Sequence, residues 1–526
     1  MASIPRPAAG AEDAGLSLHP ASAMARLGGS GGKLPAASGH YALELVRGER
    51  EGVQCAVLPS GGEPVKVTNV ALRAEEPQAP ASMLYRVLAV NHVAPPTEGM
   101  FVIPPRRLGE VPDVLMPMEG RSSEAEAHPA APERAPLTYY AEFHAPEDAA
   151  PGAYAYTLEI ATAAGAAKLA LNVRVRAAGL PKRLPFRSAV CWNWSLEKYY
   201  GQPLTPEEKR VFWDFCLDYR LSPCAFFSRE PDPAPADLAP LRDRGLSVVC
   251  LMQVSGRKAR ALDEKKQAHY APKLKQWRAD LERLGLLGDA VVLLADEPAP
   301  GEDEVHRRNA AWLKAQFPEL RVWLASRPTE AWGEIVDVFG VVTAHSTDLY
   351  KDHSHDAQAA ARWRAAQPPP KGEYWWFHSV EPYAPYPNVR LDNLLLEGRI
   401  AGWQCAAEGV DGYEYFWIAD WAANAESHAT AWPERAKAWT TGLSGAGTLC
   451  YPDERRRPMP SLRLVNLRDG LEDWALIEQA VPRANLEARR ALAAPVSKQL
   501  DEFTTDPEVI RKARWELMEH LEKQEK

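Results

Sequence analysis

Leu293-Leu294-Ala295-Asp296-Glu297-Pro298 joins an apolar run to two adjacent carboxylates and a proline. Residues 291–295 read as a buried strand, because an apolar run bounded by turn signals is the pattern of a central parallel strand. In a barrel of such strands the chemistry sits at their C-terminal ends. Pro298 biases Glu297 towards extended backbone and stops the strand. Two carboxylates at a strand tip suit acid/base work, with a sugar as the natural substrate. By itself the triplet is also compatible with an ordinary acidic strand end.

Around this strand the chain from residue 181 onward alternates strand-like and helix-like segments. Eight strands are expected, at 187–192, 223–227, 247–252, 290–295, 321–325, 336–342, 373–378 and 413–418. Helices are expected between most of them, at 265–286, 302–316, 355–366 and 390–407, and Thr205-Pro206-Glu207-Glu208 is a capping box opening another. Eight alternating units point to a (β/α)8 barrel over residues 181–475. Upstream the texture differs. Short strands at 41–46, 52–58, 65–72, 84–90, 138–144, 153–160 and 168–175, with no helix between them, suggest an N-terminal β-sandwich over 39–180. Residues 104–136 form a long proline-rich loop. Residues 1–38, rich in Ala, Gly, Pro and Ser, read as a flexible tail, and 476–526 as C-terminal helices. The fold class is multidomain, β plus α/β.

Composition narrows the function. A net charge of -9 argues against a nucleic-acid partner. No stretch approaches the roughly 20 apolar residues of a membrane span. No signal-peptide core is visible, which favours a cytoplasmic location. The seven cysteines show no C-x-x-C spacing and read mostly as small buried hydrophobes. Seventeen tryptophans is a high number, and clusters of Trp often line sugar clefts. Asp352-His353-Ser354-His355-Asp356 reads as a solvated loop, so no metal or other cofactor is expected. A homo-oligomer is compatible with the sequence.

Adjacency of Asp296 and Glu297 has a chemical meaning. Paired glycosidase carboxyls normally come from different strands, about 5–5.5 Å apart in retaining and about 6.5–9.5 Å in inverting enzymes. Two neighbours approach the sugar from one side. Glu297 would protonate the leaving oxygen, while Asp296 orients a 2-acetamido group whose carbonyl oxygen attacks the anomeric carbon. Other strand ends supply substrate-binding candidates. In Gly412-Tyr413-Glu414-Tyr415-Phe416-Trp417 strand alternation puts Tyr413, Tyr415 and Trp417 on one face, with Asp420 and Trp421 just beyond. Trp376, His378 and Glu381 follow another strand, His345 a third, and Trp192 and Trp194 the first. Glu381 or Glu414 would serve as nucleophile in an ordinary two-carboxylate retaining β-glycosidase, the alternative mechanism. An inactive glycan-binding protein is a further alternative.

Several blocks together resemble glycoside hydrolase family 123. They are Arg47-Gly48-Glu49-Arg50-Glu51, Ala150-Pro151-Gly152-Ala153-Tyr154, Asp296-Glu297-Pro298, Tyr386-Pro387-Asn388, Gly412 with Tyr415 and Trp421, Leu449-Cys450-Tyr451-Pro452, Ser461-Leu462-Arg463-Leu464 and Arg468-Asp469-Gly470-Leu471-Glu472-Asp473. The resemblance spans most of the chain, and the last block is its most specific part. It implies a retaining exo-β-N-acetylgalactosaminidase using substrate-assisted catalysis. The substrate would be a glycan or glycolipid with a terminal β-linked N-acetylhexosamine. Glu297 would be the acid/base, Asp296 the acetamide-orienting carboxylate, and Tyr415 a contact to the acetamide oxygen. The galacto preference is implied by the resemblance alone. Phe416 stands where the family pattern has Trp, and the family's usual export signal is not visible. Arg463 and Arg468-Asp469 are expected to anchor the last barrel segment.

Overall fold

The computed structural model describes residues 12–29, 32–93, 108–132, 134–299, 301–329, 332, 335–344, 354–366 and 372–524. The expected eight strands are all present and all parallel. They are β1 (Arg187–Cys191), β2 (Ser222–Cys224), β3 (Val249–Ser255), β4 (Ala290–Asp296), β5 (Arg321–Ala325), β6 (Val338–Val342), β7 (Glu373–His378) and β8 (Gly412–Tyr415). Each pairs with the next in sequence except β2 with β3, and β8 pairs with β1, so the sheet curls into a nearly closed barrel of TIM type. The seam lies between β2 and β3. There the Ser222 hydroxyl accepts from the Ser247 and Val248 N–H groups at 2.9 and 3.2 Å. Farther up, the Gln253 N–H donates to the Ser228 carbonyl at 2.7 Å.

Inside the barrel, Ala189, Cys191, Cys224, Cys250, Val291, Leu293, Trp323, Val338 and Trp375 make one packed cluster. The alternate residues of the same strands face the surrounding helices. The helix Pro206–Asp218 opens with the expected capping box between Thr205 and Glu208. The helices Leu396–Glu408 and Leu462–Ala480 are buried nearly all round and pack backbone against backbone. A methyl group at Gly402 would overlap the Gly470 carbonyl, so glycine is required at that crossing. The second helix runs past residue 475, the expected end of the barrel unit.

Two sheets precede the barrel. One holds Leu16–Ser22, Arg50–Pro59, Leu137–His144, Ala81–His92 and Gly109–Pro117; the other holds His40–Arg47, Gly165–Gly179, Gly152–Thr162, Val65–Ala74 and Ala125–Ala127. Leu16, Val53 and Val57 of the first and Leu158, Leu169 and Val173 of the second share one apolar cluster. Two expectations are corrected. Leu16–Ser22 is no tail: it pairs along Arg50–Pro59, and Leu16 and Leu18 are buried. Gly109–Pro117, expected as loop, pairs with Ala81–His92 despite Pro112, which sits at a register shift where a missing N–H does no harm.

Charged groups tie these parts together. Asp113 accepts from Arg463 and Tyr451, and Arg468 donates to Glu142 and Asp469, all buried. The expected anchoring arginines therefore bind the helix Leu462–Ala480 to the first sheet. All seven cysteines are buried and unpaired.

Candidate active site

Two irregularities build the site. Along β4, Val291 and Leu293 point inward, so strict alternation would aim Ala295 inward and Asp296 out. A register shift against β5 between Leu293 and Ala295 puts Leu294 and Ala295 both on the outer side. Asp296 is thereby returned to the lumen, as a bulge flips every later side chain. β3 does the same. Its register against β4 slips between Cys250 and Gln253, Leu251 and Met252 both face out, and Gln253 turns inward. Glu297 then takes φ of 47°, left-handed backbone that costs a non-glycine residue energy and marks functional positions. Extended backbone before Pro298 was expected, so this is a correction. The turn brings Glu297 into the same cavity as Asp296.

That cavity, about 530 Å³, opens at the C-terminal end of the barrel. Asp296, Glu297, Gln253, Arg257 and Glu414 bring polarity, and Phe226, Phe227, Trp194, Trp323, Phe416 and Trp417 bring aromatic wall. Trp194 lies flat on Trp417, ring centroids 4.3 Å apart and planes 4° apart. Arg257 Nη1 donates to Glu297 Oε2 at 3.0 Å. Burial raises the proton affinity of Asp296 well above the usual carboxylate range, and Arg257 only partly opposes it. Glu297 is raised further, by burial and then by the Asp296 charge, against the pull of Arg257. Glu414 is raised strongly by burial, with Asp296 and Glu297 adding to it. Raised to about 8, Glu297 keeps its proton near neutral pH, which suits a general acid, whereas Asp296, raised to about 6, ionises first.

Of the expected site residues, the structure brings Asp296, Glu297, Trp194 and Trp417 to the cavity wall. The others stand elsewhere. Tyr415 faces outward, its hydroxyl accepting from the Gly447 N–H at 3.2 Å. Trp421 is buried against Tyr199 and donates to the Cys450 carbonyl at 2.8 Å. Trp192 donates to the Asp232 carbonyl, and Trp376 to His355. His378 is buried between Thr343 and Tyr413, its imidazole held neutral, down to about 3, by burial. Asp420 is half-buried in the loop beyond β8, its N–H donating to the Gly447 carbonyl. Glu381 is fully buried off the wall, though its charge reaches Glu297. His345 lies outside the described residues. Sequence reasoning missed Gln253 and Arg257 entirely and gave Glu414 only a rival's role. A lone Gln in an apolar strand and a lone Glu in an aromatic one were the available signals.

A parallel barrel with a carboxylate-bearing, aromatic-walled cavity at its C-terminal mouth defines a glycosidase. Residues 251–480 match the family model described as Glycoside hydrolase 123, catalytic domain, and the chain is a glycoside hydrolase carrying that domain. Among solved structures it is similar to a family 123 glycoside hydrolase from Clostridium perfringens, studied for the details of glycolipid glycan hydrolysis. Identity is 11%, coverage 97% of this chain and 98% of that one, and the TM-score 0.60, a likeness of fold. A β-glucuronidase of Parabacteroides merdae aligns at 11% identity over 70% of this chain and 44% of its own, with a TM-score of 0.27, too low for structural comparison. No curated protein matches the chain.

Proposed function

We propose that the chain is a retaining exo-β-N-acetylgalactosaminidase acting by substrate-assisted catalysis on a glycan or glycolipid. The observation that carries this is the delivery of two adjacent carboxyls, Asp296 and Glu297, into one cavity from one side. Glu297 gives its proton to the glycosidic oxygen as the C1–O bond breaks and the leaving group keeps the electron pair. The acetamido carbonyl oxygen attacks C1 and closes an oxazolinium ring. Asp296 accepts the acetamide N–H hydrogen bond and offsets the developing positive charge. Glu297, now a carboxylate, takes a proton from the water that reopens the ring at C1, so configuration is retained. The galacto preference rests on the family resemblance. The two N-terminal sheets, Leu16–Ser22 among their strands, are read as a β-sandwich beside a catalytic barrel unit, with C-terminal helices beyond Ala480.

One observation favours the two-carboxylate mechanism: Glu414 reaches the same cavity from a different strand. Against it, a nucleophile must be ionised, and burial beside Asp296 and Glu297 raises the proton affinity of Glu414 and so disfavours that form. Hydrolysis of p-nitrophenyl β-N-acetylgalactosaminide, β-N-acetylglucosaminide and β-galactoside, with and without an N-acetylgalactosamine-derived thiazoline, tests the choice. Turnover confined to acetamido sugars with potent thiazoline inhibition is expected. Turnover of the plain galactoside without thiazoline inhibition would overturn it.

A further inference from the structure

The mouth of the cavity is basic on one side. Arg257 follows β3 on the cavity wall with 40% of its side chain exposed. Of its five N–H groups, one is committed, to Glu297. Arg229 lies two residues past the wall residue Phe227, and Arg260 three past Arg257. Among the described residues neither has a carboxylate within ion-pair distance, and the two are close enough to repel each other. Arg257 stands on the wall among Asp296, Glu297 and Glu414, and with Arg229 and Arg260, which follow the C-terminal ends of β2 and β3, it makes a basic rim on that side. The cavity wall also carries Trp194, 39% exposed and backed flat by Trp417, an apolar platform of a sugar ring's size.

We propose that this rim is a subsite for an anionic leaving group, in its simplest form a uronic acid, whose carboxylate engages Arg257 while its ring lies on Trp194. The inference rests on the proposed reaction in one respect: the leaving group departs past its acid. Substituents beside the glycosidic oxygen then fall next to Glu297, hence next to Arg257. The guanidinium fork suits a carboxylate in two-point contact. The exchange also prepares the acid. Arg257 lowers the proton affinity that burial and Asp296 raise in Glu297. An incoming carboxylate that takes Arg257 removes that lowering influence and favours the protonated acid further.

The test compares kcat/KM for β-1,4-linked N-acetylgalactosaminyl-glucuronic acid and for its carboxyl-reduced glucose counterpart, in the wild type and in Arg257→Gln. Binding of methyl β-glucuronide and methyl β-glucoside is followed in parallel by tryptophan fluorescence. The uronate is expected to be preferred by on the order of tenfold at low salt. Arg257→Gln or high salt should remove the preference, and Arg229→Gln with Arg260→Gln should reduce it. Equal kcat/KM for the two disaccharides would overturn the subsite. If neither disaccharide turns over, binding decides. Selective glucuronide binding lost in Arg257→Gln would keep the subsite and remove the acetamido-sugar reaction, whereas equal binding of the two methyl glycosides would remove the subsite.

Discussion

Asp113 and Arg463, 350 residues apart, are a fully buried pair: Nε and Nη2 of the arginine donate to the carboxylate at 3.1 and 2.9 Å. The same arginine donates to the Val389 and Gly445 carbonyls at 2.9 and 2.8 Å. One side chain thus joins the first sheet, the loop after β7 and the helix Leu462–Ala480. Removing one partner of a buried pair strands the other's charge. Arg463→Met should therefore cost about 3–5 kcal/mol in chemical denaturation, and adding Asp113→Asn should recover part of it. An Arg463→Met protein as stable as wild type would remove the anchoring role.

Glu297→Gln should lower kcat by a factor of about 10²–10⁴. The loss should be smallest for nitrophenyl glycosides, whose leaving group needs little protonation. Parallel assays of a nitrophenyl glycoside and a disaccharide check this, and an equal loss on both would contradict the acid role.

Asp296→Asn should impair both substrates alike, because ring closure by the acetamide precedes every outcome. Near-normal turnover in that variant would show that Asp296 orients nothing.

The proton affinity of Glu297 is raised by burial and by Asp296 and lowered by Arg257. An acid works only while protonated, so kcat/KM falls as pH rises through its pKa. Arg257→Gln removes the lowering influence and should move the alkaline limb of the profile to higher pH. A limb that stays in place, or moves down, would show that the 3.0 Å pair does not govern the acid.

Glu297→Asn should abolish activity yet stabilise the fold, because asparagine tolerates the left-handed backbone better than glutamate, by about 1 kcal/mol. The sign of the pH dependence follows from the raised carboxyl. Its folded-state penalty is absent below the unfolded value of 4.5, grows as pH rises from there towards the folded value of about 8, and is full above it. The stabilisation by Glu297→Asn should thus increase from acid to neutral pH, which melting curves across that range will check.

Much of this was legible in the chain because barrel strands repeat a simple pattern. Val291 to Leu294 is apolar throughout, and only a strand buried on both faces demands that. The eight strands and the special place of Asp296 and Glu297 followed. Side-chain direction did not. The slips in β3 and β4 leave no mark in composition, so Gln253 could not be assigned to the lumen. In β8 the alternation holds only to Tyr415: Tyr413 and Tyr415 pack outward and Glu414 inward, whereas Trp417, expected on the tyrosine face, lines the cavity beyond the strand's end. Aromatic residues fit either an apolar core or a sugar cleft, and sequence cannot tell these apart.

The Ser222 hydroxyl at the β2–β3 seam gives the barrel a clasp where every other junction has a parallel strand pairing. A ring with a clasp has a preferred line of opening. Here that line runs up to the segments bearing Arg229 and Arg257, so any breathing of the barrel would widen the basic side of the mouth first, and strain elsewhere would be spared. Ser222 below, and above it the Gln253 N–H donating to the Ser228 carbonyl, are the fastenings along that line.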